Sequence, residues 1–160
     1  MKTVELTRHY RLAPTDLRAR LLAESAWRDS RTVVRTETVG AGATHLMARS
    51  PLDLSQLPEA VHRFLPAGAE LVVDLTAPAA AEAPLALRAE VPGAPAEITA
   101  ELELAAATVD GGPGSTVTAQ VRIVSEVPFL GGIVEAALEP RVADIIGDRL
   151  DAVAEETARA

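Results

Sequence analysis

The chain has no cysteine and almost no aromatic residues. Tyr10, Trp27, Phe64 and Phe129 are the only four rings in 160 residues. Without cysteine, thiolate zinc sites, redox dithiols and disulfide scaffolds are excluded. With four rings, binding of single-stranded nucleic acid by stacked aromatics is excluded as well. Basic residues are scarce, 15 against 23 acidic ones, for a net charge of −8. Phosphate backbones call for the opposite balance, so nucleic acid is not the expected partner. Long apolar runs are also missing. Glu5, Arg8 and Arg11 interrupt the N-terminal stretch, and no window reaches the roughly 18 to 20 apolar residues of a membrane span. A cytoplasmic location is the expectation that follows.

Apolar residues are plentiful, at 48%. That is too many for a disordered chain, and the length suits one domain over residues 1–160. The core must be made of Val, Leu, Ile and Ala. Charge is divided along the chain. Residues 1–35 carry eight basic and four acidic side chains, and the remainder seven and nineteen. Arg18, Arg20, Arg28, Arg31 and Arg35 dominate the basic end. They are spread out rather than massed, the pattern of a solvated helix face. A patch for an acidic partner is the other reading.

Alternation marks the strands. Val4, Leu6, Tyr10 and Leu12 share one parity over residues 3–12. Thr15 or Asp16 is placed to cap a helical segment over 15–29, broken or in two pieces. Strands over 31–40 and 43–52 flank Gly40–Gly42, and a helix follows over 55–65. Further strands span 69–77, 84–91, 96–109 and 115–127. Pro92-Gly93 has the composition of a type II turn, and the last two strands match in length, as a hairpin requires. From Gly131 the period becomes helical, with Val134, Leu138, Val142, Ile145, Ile146, Leu150 and Val153 along one stripe. About 29 residues at ~1.5 Å each would reach across a whole sheet. Pro140 should kink this helix.

Three runs carry a resemblance: Arg63-Phe64-Leu65-Pro66, Val91-Pro92-Gly93-Ala94-Pro95, and Val127-Pro128-Phe129-Leu130-Gly131-Gly132-Ile133-Val134-Glu135. With the order of elements, they make the chain similar to domain of unknown function 2505. This is a bacterial family of the START and Bet v 1-like (SRPBCC) superfamily. The resemblance implies an α+β helix-grip fold, a seven-stranded curved antiparallel sheet wrapped around a long C-terminal helix. Short helices follow strand 1 and lie between strands 3 and 4. It also implies a cavity between sheet and helix. Superfamily relatives bind lipids, sterols, polyketides, hormones or aromatic ligands, some cyclise aromatic rings, and some act as protein partners.

The residues themselves offer little catalytic chemistry. His9, His45 and His62 share no metal-ligand spacing, so no metal or cofactor is expected. No serine has an identifiable base or nucleophile elbow, so no catalytic residue is assigned. Gly111-Gly112-Pro113-Gly114 opens a strand rather than a helix and reads as a turn. Arg8 stands out because it shares its parity with Val4, Leu6 and Tyr10. Facing inward it would need a partner or a ligand anion; at a sheet edge its stem would carry the charge to solvent.

The candidate ligand-binding positions are Arg8, Tyr10, Met47, Val73, Leu87, Leu102, Val121, Ile123, Leu138, Val142 and Ile145. Small residues at Ala89, Ala100, Ala106, Ala119 and Ala137 leave two outcomes open. Either the helix packs close and fills the space, or a void remains for an apolar ligand. A carrier of a hydrophobic small molecule or lipid is the leading expectation, as a monomer or a homodimer. A cyclase- or dehydratase-like enzyme using Arg8 and Tyr10 is the alternative, and a protein-interaction module is the third.

Overall fold

In the computed structural model, residues 1–57, 59–127 and 130–158 are described. Pro128 and Phe129 of the run before the last helix lie outside them. Seven strands are present: β1 (Lys2–Tyr10), β2 (Val33–Val39), β3 (Ala43–Pro51), β4 (Glu70–Ala77), β5 (Leu85–Glu90), β6 (Ala96–Val109) and β7 (Gly112–Ser125). They form one antiparallel sheet in the order β1-β7-β6-β5-β4-β3-β2. Three helices accompany it: α1 (Pro14–Leu21), α2 (Glu59–His62) and α3 (Gly131–Ala158). The sheet curves around α3, and this is the helix-grip fold.

Register explains why the alternation was readable. Val121, Ala100, Leu87, Leu75 and Leu46 pair across β7, β6, β5, β4 and β3 in one transverse row. The next row runs through Ile123, Ile98, Ala89, Val73 and Ala48. Side chains of such rows project from one face of the sheet, here the concave face toward α3. Leu46, Leu75, Leu85, Ile123 and Val121 are fully buried. Each contributes about 1.5–3 kcal/mol by leaving water.

Several local expectations change. The α1 N-cap is Ala13, with no side-chain capping bond, and Pro14 occupies the first turn. Proline there gives up an amide that would be unpaired anyway, so neither Thr15 nor Asp16 is needed as the cap. The segment after it does break, into α1 and a short 3-10 turn at Glu24–Ala26. The helix expected over 55–65 shrinks to a 3-10 turn at Leu54–Gln56 and the single turn of α2. His62 Nε2 bonds the carbonyls of Leu54 and Leu57 at 2.9 and 3.1 Å, tying the two pieces together. The β6–β7 loop is only Asp110 and Gly111, at φ 50° and 79°. Two central residues at positive φ suit the right-handed twist of a hairpin. Beyond the core, Ala106 is exposed on the projecting end of that hairpin and plays no part in filling it.

Helix α3 would span about 42 Å at ~1.5 Å per residue. It continues through Pro140, whose missing amide leaves the Ala136 carbonyl without its helical partner. No described helix is long and apolar enough to cross a membrane.

Candidate functional site

Helix α3 lies against β1, β7 and α1, and its other side stands away from β3–β6. The space left there is a cavity of about 320 Å³. Its sheet wall comes from Ala48, Val73, Leu87, Ala89, Ile98 and Leu102. The helix supplies Val134, Leu138, Val142, Ile145, Ile146 and Leu150. Leu57, Val61, Phe64 and Leu65 cover one end, together with the β5–β6 connection from Val91 to Ala96. That connection is the anticipated turn: the Ala94 amide donates to the Val91 carbonyl at 2.9 Å, with Gly93 at φ 87°. A residue with a side chain is strained at that angle, which is why the turn needs glycine.

The lining is apolar apart from a few polar groups: Thr32, Ser50, Asp53, Glu90, Arg141 and Arg149. Pro51, Asp53, Arg141, Ile145 and Arg149 are exposed as well as lining, so they form the rim. Asp53 accepts bonds from the Ser55 amide and hydroxyl at 3.0 and 2.6 Å, and these bonds hold its carboxyl below the usual carboxylate range. Glu90 takes a bond from Arg88 at 3.2 Å. Arg149 donates to the Ala26 carbonyl at 3.3 Å and lies 5.3 Å over the Trp27 ring. Trp27 is itself fixed by a 2.7 Å bond to the Leu21 carbonyl.

Of the residues nominated from sequence, Val73, Leu87, Leu102, Leu138, Val142 and Ile145 line this cavity. The other five do not. Val121 and Ile123 face the same way but are wholly buried, since α3 closes over β7. Met47 is on the opposite face. Leu46 and Ala48 are the buried residues of β3, and Met47 pairs with Arg35 and Asp74 on the outside.

Arg8 and Tyr10 do sit on the concave face, opposite Val117 and Ser115, yet they meet the helix instead of a ligand. The Tyr10 hydroxyl donates to Asp151 at 2.6 Å. Burial, then the bond to Asp151 and its charge, push the phenol pKa up strongly. Arg8 lies 3.9 Å from the same carboxylate, with 39% of its side chain exposed. Gly147 makes room for it: a Cβ there would stand 2.7 Å from the guanidinium. Arg8 thus combines both sequence readings, an inward partner and an edge position on β1.

A second pinning point holds the start of α3. Glu135 is buried and takes the Ser125 amide at 3.0 Å and the Met1 ammonium at 2.5 Å. These partners keep its carboxyl below the ordinary value despite burial. Ser125 is engaged here and at the Pro95 carbonyl, 3.3 Å away, so it lines nothing. Among the described residues no three metal-ligating side chains cluster.

A family model described as "Protein of unknown function (DUF2505)" matches residues 5–156. The chain belongs to this family. No curated protein matches it. Among solved structures, a conserved protein from Geobacillus kaustophilus superposes with a TM-score of 0.63 at 10% identity, over 99% of this chain and 96% of the other. Ara h 8.0201 gives 0.59 at 12% identity, over 99% of both chains. The Zhui aromatase/cyclase from Streptomyces sp. R1128 gives 0.52 at 18% identity, over 99% and 94%. At these identities the likeness is one of fold, and it places the DUF2505 chain with Bet v 1-like and polyketide-cyclase structures.

Sequence reasoning missed Arg141, Arg149, Trp27 and the cover of Leu57, Val61, Phe64 and Leu65. The spacing of Arg141, Ile145 and Arg149 was the available signal, since residues four apart stack along one side of a helix. The stripe was read for its apolar members alone.

Proposed function

We propose that this DUF2505 protein binds a hydrophobic small molecule, a lipid included, in the cavity between β3–β6 and α3. One observation carries the reading: the apolar-lined space opens at a rim and has a volume of about 320 Å³. That is near the lower end of ligand pockets, roughly 300–1,000 Å³, and favours one chain or a small ring system over a two-chain lipid. In this reading the protein is a carrier or sensor of one domain that acts in the cytoplasm.

The cyclase-like alternative asked Arg8 and Tyr10 to act as acid or anion-stabilising group. Both are engaged with Asp151 and neither lines the cavity, so no specific observation favours it. The acidic-partner patch also loses support. Arg18 is spent on the carbonyls of Pro78, Ala80 and Ala83, and Arg28 on Glu24.

The test is binding of a fluorescent fatty acid or sterol probe, with mass spectrometry of any co-purified ligand. Saturable binding that Ala89→Phe abolishes is expected. A folded protein that binds no probe and carries no ligand would overturn the reading.

A further inference from the structure

The cavity wall is apolar, and its charges are gathered at the rim and the strand ends. Three of the four charged groups there are already engaged: Asp53 by Ser55, Glu90 by Arg88, and Arg149 by the Ala26 carbonyl and Trp27. Arg141 is the exception. It is exposed, lines the cavity between Leu138 and Val142, and has no hydrogen bond or ion pair among the described residues. Asp144 and Asp148 share the outward side of this helical surface, but no described carboxylate comes within ion-pair distance of Arg141. The chain as a whole carries −8, so it does not attract anions generally. A free guanidinium at the mouth of an apolar cavity is a local departure from that field.

We infer that the ligand is a single-tailed amphiphile with a carboxylate head, its tail in the cavity and its head paired with Arg141. This rests on the cavity reading above. A guanidinium presents two parallel N–H donors that match a carboxylate, and the tail gains by leaving water. An acid enters tail first and keeps its charge at the rim, so no ion is buried. Arg149, two turns further along, serves as wall, because Trp27 and the Ala26 carbonyl hold its guanidinium in place.

The experiment compares decanoate, decanol, decylammonium and decyl phosphate by calorimetry at low ionic strength. It uses the wild type and Arg141→Gln, Arg141→Lys and Arg141→Glu. Decanoate should bind about five-fold tighter than decanol, the scale of a partly exposed ion pair. That preference should vanish in Arg141→Gln, persist in Arg141→Lys, and turn toward decylammonium in Arg141→Glu. It should also shrink as salt is raised. Decanol should still bind saturably to all four proteins, which confirms an intact cavity.

Equal binding of decanoate and decanol by the wild type would overturn the head-group assignment while leaving the cavity reading standing. So would a preference that survives Arg141→Gln. Decyl phosphate binding tighter than decanoate would overturn the choice of carboxylate. Failure of all four probes, decanol included, would overturn the cavity reading and this inference with it.

Discussion

The two sides of the sheet treat the same helix differently. Against β1 and β7, α3 is tied down by polar bonds at two levels, Glu135 to Ser125 and Asp151 to Tyr10. Beneath it Val117, Ala119, Val121 and Ile123 are completely buried. Against β3–β6 the facing positions include the small residues Ala48, Ala89 and Ala96, and a cavity remains. What differs is that the closed side is bonded to the helix, where Tyr10 reaches Asp151 and the α3 residue Glu135 reaches the backbone amide of Ser125. A helix held at one flank of a curved sheet cannot also settle onto the other.

This contrast can be broken in order of expected effect. Ile123→Ala, on the closed side, should cost about 3 kcal/mol, because it empties a fully packed site. Leu87→Ala, on the open side, should cost about 1 kcal/mol, since its side chain already borders free space. Urea unfolding of both variants reads the difference, and equal losses would deny that the two sides differ. Enlarging a residue reverses the comparison. Ala119→Phe should destabilise by about 2 kcal/mol through overpacking. Ala89→Phe should leave the unfolding free energy within about 1 kcal/mol of the wild type while removing probe binding.

A subtler test is the polar pin. Tyr10→Phe should cost about 1 kcal/mol, the net worth of a hydrogen bond to a charged acceptor that is partly exposed. Probe affinity should not change, because Tyr10 lies off the cavity. A loss of affinity would mean that the pin positions the cavity wall.

The smallest effect lies on the outer face, away from α3. His45 bonds Asp74 at 2.9 Å and Glu37 at 3.3 Å. Burial opposes its charge, but the bonds to the two carboxylates and their charges outweigh it and raise the imidazole pKa. A raised folded-state value means that protonation stabilises the fold. The contribution is full below the unfolded value, about 6.5, and is lost as pH rises through the folded one. The gap in urea midpoint between wild type and His45→Gln should therefore be largest near about pH 6 and close in alkaline solution. Probe binding should show no such dependence.

Much of the fold was legible, for a local reason. Period-two alternation fixes which face of a strand is buried, and the long helical stripe fixes which face of α3 turns inward. Arg8 illustrates the limit. Its parity was right, but parity cannot say whether an inward charge meets a ligand or a carboxylate 143 positions along, as Asp151 proves to be. Met47 shows a second limit. His45, Leu46 and Met47 are three large side chains in succession, and alternation cannot choose a face until β4 pairs with β3 and sets Leu46 opposite Leu75. Arg141 shows a third, because an unpaired arginine on a helix looks like any solvated one until the cavity beside it is known.

By itself, then, the sequence determined the strands, the long last helix and the make-up of the core, since these follow from periodicity, turn residues and the lack of aromatics, while the seven-stranded antiparallel sheet was implied by the family resemblance. Its poverty in large side chains left open whether the concave sheet would be filled or hollow. Tertiary structure decided that it is both, filled under β1 and β7 and around Leu46, Leu75 and Leu85, and hollow over the rest of β3–β6. The physical reason is that the position of α3 depends on bonds between residues far apart in the chain, which no local pattern records.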